Sequence, residues 1–247
     1  MFAALPMYLT PETRRAHDRF WELVRDGPRA RGIDAPETLN HDTQPMEGWA
    51  RDDLVLGQIC NLPYRARFRD RLTRIGASDY GVEGAPPGHY HSVFVVRSDD
   101  PATTFADCDG YRLAFNEGLS QSGWAAPSFA AARQNLTLRP VGPTGAHAAS
   151  MRAVANHRAD MAAIDCITFA IAKDSGQTTG LKVIGHSDPS PGMTFVTAKD
   201  RDPEPLLGAL RDGLAELDPE TAATLRLHDV LPLPDAAYDL PLPKPPQ

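Results

Sequence analysis

One stretch of the sequence joins a strand to a helix through a turn rich in hydroxyl groups and glycine. Residues 111–115 are predicted to form a strand, residues 116–122 contain Ser120 and Ser122, and a helix is expected from Gly123. A turn of this kind directs unpaired backbone N–H groups and the positive end of the helix dipole to one place, which favours an anion there. The same unit favours a fold in which strands and helices alternate.

The alternation continues along most of the chain. Strands are predicted at residues 2–8, 54–58, 72–76, 92–97, 111–115, 136–140, 161–164 and 181–184, and residues 189–197 are predicted to supply a turn and a further strand. Helices are predicted at residues 11–26, 62–70, 123–133, 147–158, 166–173, 203–217 and 219–226, the first of them with Thr10 as N-cap and Pro11 in its first turn. The fold class predicted from this pattern is α/β.

The continuous apolar run at 92–97, followed by Asp-Asp-Pro, is interpreted as a strand that crosses between two lobes. The segment after it has a strand–helix rhythm of its own. The predicted division is lobe 1 at 1–90 plus 190–230, lobe 2 at 98–183, and hinge crossings at 91–97 and 184–197. Six prolines lie among the seventeen residues 231–247, which favours an extended, polyproline-like tail.

Composition narrows the range of partners. The chain has 247 residues, 42% hydrophobic and 23% charged, which is ordinary for a globular protein. The net charge of −7 and the pI near 5.6 argue against a nucleic-acid partner or an anionic-membrane surface.

Three cysteines without CxxC spacing predict free thiols. No segment is apolar enough for membrane insertion. The N-terminus lacks a basic region and an apolar run, which predicts a cytoplasmic location for the chain as written and a periplasmic one if a leader has been removed.

A second turn provides further candidates for anion binding. Thr144 and Gly145 precede His147, which stands at the start of a predicted helix and can donate from a ring nitrogen. The two turns could hold one oxyanion from two sides. The alternative for the serines of the first turn is helix capping, and for His147 an ordinary surface position.

Other candidates stand at strand ends. Asp165 follows a strand and is expected either to contact a ligand or to cap the next helix. Tyr8, Gln58 and Tyr90 occupy similar places, and Trp124 is expected to line a cleft or to pack in the core. The predicted ligand-binding residues are Ser120, Gln121, Ser122, Gly123, Trp124, Thr144, His147, Asp165, Tyr8, Gln58 and Tyr90.

Rival chemistries fit less well. The stretch 118–122 ends in serine and so misses the nucleophile-elbow pattern, which makes a Ser120–His147–Asp165 hydrolase a weak alternative. His89 and His91 would share a strand face, but no carboxylate or cysteine set accompanies them. The sequence contains neither a P-loop nor a G-x-G-x-x-G motif. No catalytic residue, cofactor or metal is therefore predicted.

Several stretches resemble one known family, the phosphate/phosphonate-type substrate-binding proteins of ABC importers. The matching stretches are 5–8, 56–60, 90–97 with 99–101, 114–116 with 120–124, 144–147 with Ser150, and 158–165. The resemblance implies a two-lobed type II periplasmic-binding-protein fold with a ligand cleft between the lobes. It also implies an ABC permease as a partner.

The predicted function is that of a solute-binding protein that closes over a small oxyanion, such as phosphate, phosphonate or a related ester. The first alternative is a cytoplasmic enzyme on the same fold that holds an apolar ring, as in some thiamine- or menaquinone-precursor pathways. The second is a cytoplasmic ligand sensor.

Overall fold

The computed structural model describes residues 1–246 and contains two compact units. Unit 1 comprises Met1–His89 and Pro191–Asp239, whereas unit 2 comprises Tyr90–Ser190 and the described residues from Leu240 onward. The chain therefore passes from one unit to the other three times.

Strands and helices occur in both units, which confirms the predicted α/β class. The strands are β1 (Phe2–Ala4), β2 (Leu54–Ile59), β3 (Leu72–Asp79), β4 (His89–Tyr90), β5 (Ser92–Arg97), β6 (Arg112–Ala114), β7 (Arg139–Val141), β8 (Met161–Asp165), β9 (Leu181–His186), β10 (Ser190–Pro191), β11 (Thr194–Ala198) and β12 (Asp229–Leu231).

The α-helices are α1 (Arg14–Ala30), α2 (Pro45–Trp49), α3 (Asn61–Pro63), α4 (Ala126–Arg133), α5 (His147–Ala155), α6 (Cys166–Asp174), α7 (Glu204–Ala215) and α8 (Pro219–Leu225). Two π-helical turns, Tyr64–Phe68 and Gln121–Ala125, and two 3-10 turns, Phe105–Cys108 and Asp235–Tyr238, complete the regular structure. Within residues 1–246 no helix has the length and apolar character needed to cross a membrane.

Unit 1 is built on a five-stranded sheet with the order β1-β2-β11-β3-β12. β1 and β2 are parallel, and β11 lies antiparallel between β2 and β3. Helix α1 presents Phe20, Trp21 and Val24, each 1% exposed or less, to the same apolar cluster as Leu206 and Leu210 of α7. Residues 20, 21 and 24 lie on one face of a helix, so α1 is stabilised mainly by the packing of that face against this apolar cluster.

Unit 2 is built on a second five-stranded sheet with the order β7-β6-β8-β5-β9. β6 is parallel to β7 and β8, whereas β5 is antiparallel to β8 and β9. Met161 and Ala163 of β8 join one apolar cluster, and Ala162 and Ile164 join the cluster on the opposite face. Burial on both faces explains why β8 is a continuous apolar run in the sequence. The segment 91–97, interpreted from the sequence as a crossing, contributes β5 to this sheet.

The first helix begins later than the sequence predicted. Thr10 caps the turn that precedes it: Thr10 Oγ1 accepts from the N–H of Thr13 (3.3 Å), the N–H of Thr10 donates to Thr13 Oγ1 (2.8 Å), and that hydroxyl donates to the carbonyl of Tyr8 (2.8 Å). These bonds close a separate turn that contains Pro11, and the helix starts only at Arg14. It also continues past the predicted end at residue 26, with Pro28 in its last turn.

Candidate functional site

The candidate site in unit 2 begins where β6 ends and a helical segment starts. Ser120 has extended backbone angles (φ −80°, ψ 126°), and its Oγ accepts a hydrogen bond from the N–H of Gly123 (2.9 Å). Ser120 is therefore the N-cap of the segment that runs through the π-helical turn into α4. The N–H groups of Gly123, Trp124 and Ala125 are all bonded to Ser120, so only the N–H groups before Gly123 lack an acceptor within the helix.

The second serine of the turn contacts the histidine of the second turn. Ser122 Oγ lies 2.8 Å from Nε2 of His147, the first residue of α5. The carbonyl of Ser122 accepts a hydrogen bond from the hydroxyl of Ser92 on β5 (3.1 Å), which fixes the backbone of the turn against the sheet. Ser120 Oγ is 3.5 Å from Ser122 Oγ, longer than an ordinary hydroxyl–hydroxyl hydrogen bond.

His147 is neutral near pH 7 and has unused hydrogen-bonding capacity. Burial lowers the pKa of His147 to about 4. Its Nδ1 is buried and has no hydrogen-bond partner among the described residues. If Ser122 donates to Nε2, the proton on Nδ1 has no acceptor; if Nε2 donates to Ser122, the serine hydroxyl proton is the one left over. Either tautomer leaves one donor for a ligand.

Asn116 is a further candidate residue, which the sequence analysis placed in a resembling stretch but did not name as ligand-binding. Its Oδ1 is buried and unpaired within residues 1–246. A Cβ atom placed on Gly123 would overlap this oxygen and lie 3.2 Å from Ser120 Oγ. Glycine is therefore the only residue type that fits at position 123 without a shift of its neighbours. The available signal was position, because Asn116 is the first polar residue after the carboxyl end of β6.

The second turn is bonded directly to the end of the first. The N–H of Thr144 donates to the carbonyl of Phe115 (2.9 Å), and the N–H of Gly145 donates to the carbonyl of Asn116 (3.0 Å). The Thr144 hydroxyl lies 2.7 Å from Ser150 Oγ on α5. Backbone pairing thus brings together the two turns that the sequence analysis identified separately.

Gln121 lines a cavity, and Trp124 packs in the apolar core of unit 2. Gln121 is buried and helps line a cavity of about 500 Å³ together with Phe129, Arg133 and other residues of unit 2. Trp124 is 6% exposed and packs in the apolar core with Phe115, at 5.2 Å between ring centroids. Its indole N–H donates to the carbonyl of Lys244 (2.8 Å).

Asp165 and Tyr90 also belong to unit 2. Asp165 Oδ1 accepts hydrogen bonds from the N–H groups of Ile167 (2.8 Å) and Thr168 (3.0 Å), so this carboxylate caps α6. The capping role was one of the two alternatives for this residue. Tyr90 is buried at 2% exposure.

Tyr8 and Gln58 belong to unit 1. Tyr8 has a left-handed backbone (φ 61°) and makes an edge-to-face contact with Tyr80 at 5.2 Å. Gln58 is buried on β2, and its Nε2 donates to Ser78 Oγ (3.1 Å). A buried amide that the sequence analysis did not single out, Asn61, follows β2, and its Nδ2 has no partner in the described chain.

The geometry does not assemble the hydrolase that was weighed as an alternative. Ser122, rather than Ser120, contacts His147, and no carboxylate contacts His147 Nδ1 within residues 1–246. The described residues also contain no group of three or more histidine, cysteine or acidic side chains suited to a metal ion.

The comparisons with known proteins agree with the family resemblance. PhnD1 from Prochlorococcus marinus in complex with methylphosphonate is 14% identical with a TM-score of 0.72, over 97% of this chain and 94% of that chain. A binding-protein component of an ABC phosphonate transporter from Pseudomonas aeruginosa is 15% identical with a TM-score of 0.67, over 96% and 82%. A Xanthomonas citri protein bound to ATP is 15% identical with a TM-score of 0.67, over 96% and 92%. At such identities the likeness concerns the fold.

Curated protein sequences yield no match. The sequence model of one family, described as the periplasmic substrate-binding protein of ABC phosphonate transporters, matches residues 46–236. This match covers more than half of the chain and confirms both the resemblance and the substrate-binding role that it implied. The chain belongs to the family of periplasmic phosphonate substrate-binding proteins of ABC transporters.

Proposed function

We propose that this chain binds a small phosphoryl or phosphonyl oxyanion at the two joined turns of unit 2 and delivers it to an ABC permease. The observation that carries the proposal is the Ser122–His147 pair, because both tautomers of the neutral ring leave one donor without an acceptor. An oxyanion is the ligand that takes up such a donor together with the N–H groups at the start of a helix.

The donors of this site are neutral dipoles. Ser120, Ser122 and the ring of His147 supply hydroxyl and ring N–H groups, and the start of the helical segment supplies the backbone N–H of Ser122, which has no acceptor within the helix. Hydrogen bonds from such groups to an ionised oxygen are stronger than bonds between neutral partners. Asn116 adds an amide that offers its oxygen to a protonated ligand oxygen, or its NH2 group to an ionised one after rotation.

Binding without bond cleavage is the role that the polar geometry favours. A serine–histidine pair that activates a nucleophile needs a third group to orient the histidine, and His147 Nδ1 has no such partner in the described chain. The comparisons support the same proposal, since one relative of the same fold is bound to methylphosphonate.

The family is described as periplasmic. Fractionation of native cells, with sequencing of the mature N-terminus, tests whether this member is exported or stays in the cytoplasm.

The test is a binding panel of phosphate, phosphite, methylphosphonate, aminoethylphosphonate and sulfate, measured by calorimetry and by thermal melting. Ligand at about one hundred times its Kd should add about 2.7 kcal/mol of stability. Ser122→Ala and His147→Ala should each raise Kd by about tenfold or more, since hydrogen bonds to charged groups contribute about 1.5–3 kcal/mol.

Matched controls are Ser175→Ala and His157→Asn, both at exposed positions at the ends of helices of unit 2. Asparagine tolerates the left-handed backbone of His157 (φ 58°). These variants should bind as the wild type does. A panel in which no anion shifts the melting temperature, while an aromatic or heterocyclic metabolite does, contradicts the proposal and favours the enzyme alternative.

A further inference from the structure

The C-terminal segment follows a well-anchored turn of unit 1. Tyr238 is 1% exposed, its hydroxyl lies 3.1 Å from Thr194 Oγ1, and the guanidinium of Arg74 stacks over its ring at 4.2 Å. Asp239 pairs with Arg69. The chain that leaves this turn is therefore fixed at its beginning.

The residues that follow belong to unit 2 and, within it, contact both ends of the anion-binding turn, defined here as Gly118–Trp124. The carbonyl of Lys244 accepts the indole N–H of Trp124 (2.8 Å). The ring of Pro246 lies against Gly118, since a Cβ atom on Gly118 would be 3.3 Å from it. Gly118 lies two residues before Ser120, and Trp124 lies two residues after Ser122.

The bond to Trp124 acts directly on the backbone that carries the donors. The N–H of Trp124 donates to the carbonyl of Ser120 (3.2 Å), and its own carbonyl accepts from Ser128 Oγ (2.6 Å). A fixed indole therefore restrains Trp124, the residue next to Gly123, and the backbone N–H of Trp124 is itself bonded to the Ser120 carbonyl. Prolines at 241, 243, 245 and 246 restrict the segment to few conformations, so little entropy is lost when it is held in place.

We propose that the segment Leu240–Pro246 is a positioning element that holds the anion-binding turn in its binding-competent conformation. Trp124 is its point of attachment, which gives this buried indole a positioning role in place of ligand contact. The inference rests on the proposed function for its effect on affinity. Its effect on the order of the turn stands independently and is measured without ligand.

The experiment compares the wild type with three variants: full-length Trp124→Phe, a chain ended after Asp239, and full-length Leu242→Ala. Phenylalanine keeps the contact with Phe115 and removes the donor. Leu242 is 58% exposed, so its substitution is the matched control within the same segment. Amide hydrogen exchange of residues 120–124 is measured without ligand, and the Kd for methylphosphonate by calorimetry.

A spectroscopic signal reports the attachment itself. The chain has three tryptophans, and Trp21 and Trp49 donate their indole N–H groups to the carbonyls of Pro36 and Gln58. In ¹⁵N-indole spectra, ending the chain after Asp239 should move the Trp124 resonance and leave the other two in place. Addition of the peptide Leu-Pro-Leu-Pro-Lys-Pro-Pro-Gln should restore the resonance.

The expected result is faster exchange at residues 120–124 and a Kd for methylphosphonate raised by about tenfold in both the shortened chain and Trp124→Phe. The peptide should reverse both effects in the shortened chain, and Leu242→Ala should show neither. Unchanged exchange in the shortened chain overturns the proposal, as does faster exchange with unchanged affinity. If the wild type binds none of the anions, the proposed function fails, and the exchange rates alone decide whether the segment orders the turn.

Discussion

A buried polar cluster lies in each unit, and the two clusters differ in how fully their hydrogen bonds are made. In unit 1, Gln58 donates to Ser78, and the Ser78 hydroxyl donates to the carbonyl of Met193 (2.6 Å). In unit 2, Ser122 and His147 bond to each other, but His147 Nδ1 stays buried without a partner in the described residues.

Under the proposed function, this difference is the one expected between a structural cluster and a cluster that binds a ligand. Buried polar groups in folded proteins are almost always hydrogen-bonded, and each exception calls for an explanation. The chain of bonds from Gln58 through Ser78 to Met193 ties β2, β3 and the approach to β11 together. The unit 2 cluster keeps unused capacity instead, at a cost in stability that a bound anion would offset.

The largest expected effect is on the pH dependence of stability. Burial lowers the pKa of His147 from 6.5 to about 4. Between these values the unfolded chain binds more protons than the folded one, so the free energy of unfolding falls as the pH falls from about 6.5 towards 4. At about 1.4 kcal/mol per pKa unit, His147 accounts for about 3 kcal/mol of this loss.

Denaturant unfolding of the wild type and His147→Gln at pH 7 and at pH 4.5 measures this contribution, because glutamine has no titrating ring. The variant should lose less stability than the wild type on acidification, with the exposed His157→Asn as control. The lowered pKa values of His17 and His91, also caused mainly by burial, should remain as a residual dependence of the same sign. Equal losses in wild type and variant would show that His147 is not held neutral.

The next effect concerns the fit of the unit 2 turn. Gly123→Ala should displace Asn116 or open the Ser120 cap, because the added Cβ overlaps the Asn116 amide. Overpacking of this kind costs about 1–3 kcal/mol, and anion binding should be lost along with it. Thermal melting and calorimetry measure the two losses.

Gly208→Ala in α7 is the matched control, since a Cβ atom there meets nothing within 4 Å. It should be neutral or slightly stabilising, because alanine favours a helix by up to about 1 kcal/mol over glycine. Normal anion affinity in Gly123→Ala would show that the packing of Asn116 against Gly123 is unimportant for the site.

The smallest effect tests the unit 1 cluster. Ser78→Ala removes the acceptor of Gln58 Nε2 and should cost about 1–3 kcal/mol of stability, while the affinity for the anion stays within about twofold. Ser122→Ala should show the opposite result, with a large loss of affinity for the anion and a small loss of stability. A tenfold loss of affinity in Ser78→Ala would break the comparison and place the unit 1 cluster in the binding site as well.

The sequence by itself determined the features that depend on local pattern. The apolar runs of β5 and β8, the helix α6 and the capping serine of the Gly118–Trp124 turn follow from burial period, capping and turn chemistry, all of which act within a few residues. The family resemblance lay in the same short stretches, and the match over residues 46–236 confirms it.

Only the tertiary structure decided which distant groups meet. Ser122 rather than Ser120 contacts His147, Asn116 lies beside Gly123, and the indole of Trp124 bonds to Lys244, 120 positions away in the sequence. The start of α1 was missed for a related reason, because Thr10 and Thr13 bond to each other and to Tyr8 in a separate turn, and the helix begins only after it. Such choices depend on which partner has a free donor or acceptor in three dimensions, and no local periodicity records that.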